Sequence, residues 1–240
     1  MASSTAKREA EAPQAPAGGY RKGAETRLRI LTAALHEFGM AGAAGATTRK
    51  IAQEAGVSLP ALTYYFGGKE GLYLACAREI VREYQAHMLA MLADVQISIA
   101  EGASPDAART SLKAVIGALV DLQIARQQSD VWMSFVLREI SEQGPAFGLL
   151  FEQLWSPGAD LIVDLISRIT GAPPRSTQPR LQALLLVSSL TAFSLARPIS
   201  LKYLGWPRLG RAGVAEIKAA LDQQIDQIAA GSGAGSALPE

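Results

Sequence analysis

Apolar residues recur at three- and four-residue spacing along most of the chain, which predicts an all-α protein of amphipathic helices. Leu28, Leu31, Ala34, Leu35 and Phe38 share one face of a helix over Glu25–Met40, which the glycine-rich run Ala41–Ala46 ends. Ile51, Ala52 and Ala55 mark a short second helix, and Leu62, Tyr65 and Phe66 a third. A long helix starts at Lys69, carries Leu72, Leu74, Ile80, Val81, Tyr84, Met88 and Leu92, and stops before Gly102. Pro105 introduces the next, Asp106–Gln128, followed by Asp130–Gln143 up to the Gly144–Pro145 break. Ala146–Trp155 resumes until Ser156–Pro157, and Gly158–Thr170, Leu181–Ala196 and Val214–Ala229 complete the set. Pro198–Gly210 reads as a loop, too apolar to be merely solvated, with Tyr203 and Trp206 expected to pack on something, a partner chain included. These elements predict a disordered tail over 1–24, a three-helix module over 25–70, a larger helical domain over 71–230 and a flexible end over 231–240.

The tightest local signal is Thr47–Lys69. Thr47 is placed to cap one helix and Ser58 the next. Gly56 stands where a positive φ is needed, Val57 fills the corner, and Pro60 falls in a first turn, where a missing N–H costs little. Ala52 lacks bulk, so the two helices can approach closely. A helix-turn-helix requires this arrangement, although an ordinary αα-hairpin can share it. Charge favours the first. Residues 20–73 hold seven Lys/Arg against four Asp/Glu, a net of +3, whereas 74–240 comes to −2 and the whole chain to +1. A basic front end on a slightly acidic body suits phosphate contact at one end. Arg49, Lys50 and Lys69 are candidate phosphate contacts, with the hydroxyls of Tyr64 and Tyr65 beside them. Ser58, Leu59, Ala61 and Thr63 are candidates for base edges, and Thr47, Thr48 and Pro60 complete the expected DNA-binding set. No Arg, Asn or Gln lies between Val57 and Phe66, so bidentate pairing to guanine or adenine from this helix is unavailable. Specificity would then lean on thymine methyls, hydroxyls, the preceding helix and DNA shape.

At 240 residues and 49% hydrophobic, the chain can bury one small and one larger core. The single cysteine, Cys76, reads as a small buried hydrophobe, consistent with a cytoplasmic protein. His36 and His87 are far apart, and no metal-ligand spacing, phosphate loop or nucleophile elbow occurs. Neither catalysis, nor a metal, nor a cofactor is therefore expected. Leu181–Ala196 is uncharged for sixteen residues, yet five of them are Gln, Ser or Thr, and a membrane span needs about eighteen to twenty apolar residues. It must be covered on all sides, with its own core on one face and a second copy of the chain, or more of its own subunit, on the other. In Asp130–Gln143, apolar residues on more than one side are interrupted by Arg138, Glu139 and Glu142, which either pair with one another or face a pocket or the surface. His87, Trp132, Phe135, Arg138 and Glu139 are the candidates for an effector pocket.

The run TTRKIAQEAGVSLPALTYYFGGKEGLYLA resembles the DNA-binding domain of the TetR family of bacterial transcriptional regulators, over about residues 25–75. FVLREISEQGPAF (135–147), LWSP (154–157) and LKYLGW (201–206) are similar to the regulatory domain of its CecR subgroup. The resemblance implies a ligand-responsive homodimer, most often a repressor, on a palindromic DNA operator, with a small apolar or amphipathic effector in the helical body. It also implies pairing of subunits through the last major helices, here Leu161 and Leu165 with Leu181, Leu184, Leu185, Ser188 and Ala192. The alternatives are an architectural DNA binder that ignores effectors, and a helical carrier or enzyme.

Overall fold

The computed structural model describes residues 17–100, 102, 104–125 and 129–231, and every regular element among them is helical. α1 (Ala17–Gly45) lies over a corner formed by α2 (Thr48–Glu54) and α3 (Leu59–Phe66), and α4 (Lys69–Ala100) leads from that corner into the body. The body comprises α5 (Pro105–Val120), α6 (Ser129–Glu142), α7 (Phe147–Leu150), α8 (Ser156–Thr170), α9 (Thr177–Ser194), α10 (Arg197–Leu204) and α11 (Arg211–Gly231).

Two hydrophobic cores hold this arrangement. The first joins Ile30, Leu31 and Phe38 of α1 to Ile51, Leu62 and the opening turns of α4, and it also takes in Phe135, Ala146 and Leu150 of the body. The second gathers Met88 and Val95 of α4 with the inner faces of α5, α8, α9 and α11. Each fully buried Leu, Ile or Phe contributes about 1.5–3 kcal/mol relative to exposure. α4 is thus fixed at both ends, and α6 is the body helix stitched into the first core.

Several boundaries differ from the sequence reading, each for a local reason. α1 begins at Ala17, inside the stretch expected as a tail, and its first helical run ends within the glycine-rich Ala41–Ala46, with a short second run up to Gly45. Its break is at Gly42, where φ 72 and ψ 177 interrupt the helix. The expected tail residues 1–16 and 232–240 lie outside the described residues. After α5 the chain continues as a π-helical turn over Asp121–Ala125, and 126–128, which hold the expected end at Gln128, lie outside the described residues. Ser156–Pro157 does not break the chain. A second π-helical turn, Phe151–Trp155, joins α7 to α8, with Pro157 in the first turn of α8. Pro157 offers no N–H to the Gln153 carbonyl four residues earlier, and Gln85 Nε2 donates to that carbonyl at 3.4 Å instead. Pro198–Gly210 is not all loop: Pro198 starts α10, and Gly205 closes it at φ 69. Trp206 packs against the second core as expected, whereas Tyr203 is 90% exposed. No single described helix is long and apolar enough to cross a membrane.

Gly42→Ala tests the α1 break. The backbone there is glycine-only territory, and a Cβ would stand 2.9 Å from Arg138 Cδ. The expected loss is about 1–3 kcal/mol in urea unfolding, and an unchanged midpoint would show that the break relaxes without strain.

Candidate nucleic-acid interface and the cavity behind it

Local capping builds the corner. The Thr47 hydroxyl accepts from Lys50 N at 3.3 Å and the Ser58 hydroxyl from Ala61 N at 3.4 Å. Gly56 takes φ 63, and Val57 N donates to Ala52 O at 2.9 Å, closing the turn. Ile51, Ala52, Ala55, Leu62 and Phe66 point inward. With Leu62 and Phe66 buried, helical periodicity turns Pro60 and Tyr64 away from the core. Thr47, Arg49, Ser58, Leu59, Pro60, Thr63 and Tyr64 are exposed, Tyr64 at 82%, and Thr48, Ala61, Tyr65 and Lys69 are partly so. Two of the cations have intramolecular partners. Lys50 is ion-paired with the buried carboxylate of Glu37, and that hydrogen bond holds its ammonium above the usual lysine range. Lys69 Nζ donates to Ala44 O at 3.2 Å, tying the start of α4 to the end of α1.

Behind the corner, α6 presents two faces. On one, Glu139 is 1% exposed; its Oε1 accepts from the Tyr73 hydroxyl and its Oε2 from Ala146 N at 2.7 Å. Burial, then the neighbouring Glu139, pushes the Tyr73 hydroxyl pKa well up, so it stays a donor. The Tyr73 ring lies 4.7 Å from both the Phe38 and the Phe135 ring centroids. A Cβ on Gly144 would fall 2.1 Å from Glu139 Oε1, so only glycine leaves room for the carboxylate. Arg138 Nη1 donates to Glu142 Oε1 at 2.9 Å and Nη2 to Met40 O at 3.4 Å. Phe135, Arg138 and Glu139 therefore face α1 and α4, and they are not among the residues that wall the cavity on the other side of α6.

The opposite face of α6 looks into a cavity of about 1150 Å³, walled there by Trp132, Met133, Val136, Leu137 and Ile140. Of the expected pocket residues, Trp132 and His87 do line it. Both π-helical turns contribute wall residues, Leu122 and Gln123 from the first and Phe151, Gln153, Leu154 and Trp155 from the second. Phe147, Phe151 and Trp155 form a stacked series with centroids 6.2 and 5.7 Å apart. Their four-residue spacing was the signal available in the sequence. Tyr73 was also missed, because nothing local marks it as a partner for Glu139.

The residues expected between subunits separate into two groups. Leu165 is fully buried in the second core, and the partly buried Leu161 lines the cavity, as Leu184 does. Leu181, Leu184 and Leu185 of α9 are exposed, Leu185 at 63%, with Ser188 exposed and Ala192 partly so. Among the described residues, no group of three or more His, Cys, Asp or Glu side chains could hold a metal ion.

Residues 30–76 match the family model of bacterial regulatory proteins of the tetR family, and residues 108–232 match the C-terminal domain of the HTH-type transcriptional dual regulator CecR. The chain is 32% identical over 186 residues to the HTH-type transcriptional dual regulator CecR of Shigella flexneri, covering 77% of this chain and 82% of that protein. A Pseudomonas aeruginosa PAO1 protein described as a transcriptional regulator shares the fold with a TM-score of 0.62 at 19% identity, over 86% of this chain and 91% of its own. FadR of Bacillus subtilis, solved in complex with stearoyl-CoA, does so with a TM-score of 0.54 at 15% identity, over 85% and 98%.

Tyr73→Phe keeps the ring and removes one donor from a buried carboxylate. Equilibrium unfolding should register a loss of about 1–3 kcal/mol; a variant as stable as the parent would mean the hydrogen bond contributes nothing net.

Proposed function

The chain belongs to the TetR family of bacterial regulatory proteins, with a CecR-type C-terminal domain, and is a DNA-binding transcription regulator; on that premise we propose that it is a homodimeric repressor of a palindromic operator, released by a small effector held in the helical body. Residues 25–70 act as the reader and 71–230 as the regulatory and pairing domain. Arg49, Tyr64, Tyr65, Lys69, Thr47 and Thr48 contact phosphates, and Ser58, Leu59, Pro60, Ala61 and Thr63 meet base edges. A DNA-bound role puts the protein in the cytoplasm.

The observation that carries the effector reading is the double role of α6. One face walls the cavity while the other is latched to α1 and α4 by Glu139, Arg138 and Phe135. A ligand against Trp132 and Val136 bears on the same helix that positions the reader, which is what differential affinity for two reader spacings requires. A purely architectural binder has no use for a cavity of this size. Pairing through α9 is supported by Leu181, Leu184 and Leu185, which form an exposed apolar strip rather than scattered single residues. Ile199 and Tyr203 on α10 are exposed as well.

Footprinting upstream of the protein's own gene tests the whole reading: a protected inverted repeat is expected, and no protection at any promoter-proximal site would sink it. Arg49→Ala should weaken binding to all sequences alike and lower the salt slope by about one ion, whereas an effect confined to one operator base would reassign it from phosphate to base contact. Leu185→Arg should sediment as a monomer with poor operator affinity; intact dimers would remove α9 from the interface.

A further inference from the structure

The charges around the cavity bear on what it holds. Four carboxylates stand in the wall, Glu54, Glu79, Glu83 and Asp160, against one guanidinium, Arg180, and no lysine. Glu79 and Glu83 share the outward Arg82, and Glu54 Oε1 lies 3.5 Å from His36 Nδ1, yet with Arg82 counted the surroundings stay net negative. Glu79 and Glu83 are four residues apart on α4 and so share one helix face. Asp160 belongs to the start of α8, which meets α4 where a Cβ on Gly158 would lie 3.8 Å from the Tyr84 hydroxyl. Tyr84, Trp132, Phe151 and Trp155 add aromatic wall, and aromatic faces attract cations when water is excluded.

We propose that the cavity takes a lipophilic organic cation, with its apolar groups against Trp132, Phe151 and Trp155 and its charge among Glu79, Glu83 and Asp160. The proposal rests on this cavity being the effector site. With Arg82 counted, a carboxylate or phosphate ester would meet four carboxylates against two guanidiniums, and a neutral ligand would leave that excess of negative charge uncompensated. Charge complementarity selects the sign, and the aromatic lining sets the lipophilic character.

Tetraphenylphosphonium and tetraphenylborate have matching shape and opposite charge, so they separate sign from hydrophobicity. Titrated into the full-length protein without DNA and followed by tryptophan emission, the phosphonium should bind at least about tenfold more tightly. Asp160→Asn should weaken the phosphonium and strengthen the borate, a crossed response that loss of fold cannot produce. Equal or tighter binding of the borate would overturn the cation proposal and leave the effector cavity standing. If neither ion quenches, the cavity reading fails along with it.

Discussion

The structure turns on a carboxylate that has left water. Glu139 is almost wholly buried, and a carboxyl group in that position is tolerated only when hydrogen bonds replace its hydration. Its two oxygens take those bonds from Tyr73 at the start of α4, 66 residues earlier, and from the backbone after the Gly144 turn, seven residues on, so one side chain ties the end of α6 to α4. The rest of the contact follows from that anchor. Phe135 enters the first core beside Tyr73 and Phe38, and Gly39 brings α1 so close that a Cβ there would lie 3.2 Å from Val131 O. Arg138 then reaches Met40 O near the end of the first helical run of α1. Hydrophobic burial supplies most of the adhesion, but it is non-directional; the carboxylate fixes the angle at which α6 meets the reader.

How much of this was legible depended on how far each determinant reached along the chain. Everything that makes the Thr47–Phe66 corner lies within about one turn of helix: two hydroxyl caps, a glycine at positive φ, a proline in a first turn and a short apolar stripe. Such features can be read from a single sequence because their physics is local. α6 was the opposite case. Its apolar residues sit on more than one side, so periodicity could not say which face met a cavity and which met α1, and the partner of Glu139 is 66 residues away. Pro157 reads as a helix end because the group that satisfies the freed Gln153 carbonyl, Gln85, is 68 residues before that carbonyl. Leu165 and Leu185 are both apolar positions on amphipathic or uncharged helices, and only the packed structure distinguishes the one covered by its own subunit from the one left bare. For α10 the signals were present but ambiguous, since proline followed by glycine brackets a short helix as well as a loop.

The outward face of α3 constrains how a DNA sequence can be read. With no Arg, Asn or Gln on that helix, strong bidentate discrimination of a base pair is absent, and Ser58 spends an oxygen lone pair on its cap. Lys50 is committed to Glu37, leaving Arg49 as the cation of α2 without such a tie to a buried acid. In the proposed dimer, weak direct readout per site would place more weight on the spacing of two readers, because a dimer multiplies modest half-site preferences only when both fit at once. A regulator built this way is sensitive to geometry more than to any single contact, which is the property an effector can exploit.

The energies make the α6 latch a fitting lever. Coupling between an effector and a distant site is typically about 1–3 kcal/mol. A buried polar group left without its hydrogen bond costs a similar amount, about 1–3 kcal/mol. Loosening a single bond at Glu139 would match such a coupling in size without wholesale repacking of the first core. Strain from the cavity would be felt there first, because Tyr73 and Ala146 are held by directional bonds while the surrounding apolar contacts tolerate small shifts at little cost. The two π-helical turns at the cavity wall suit the same economy of motion: each already departs from the regular α-helical ladder, so a change of register at Leu122–Gln123 or Phe151–Trp155 breaks fewer established bonds than it would in a continuous α-helix.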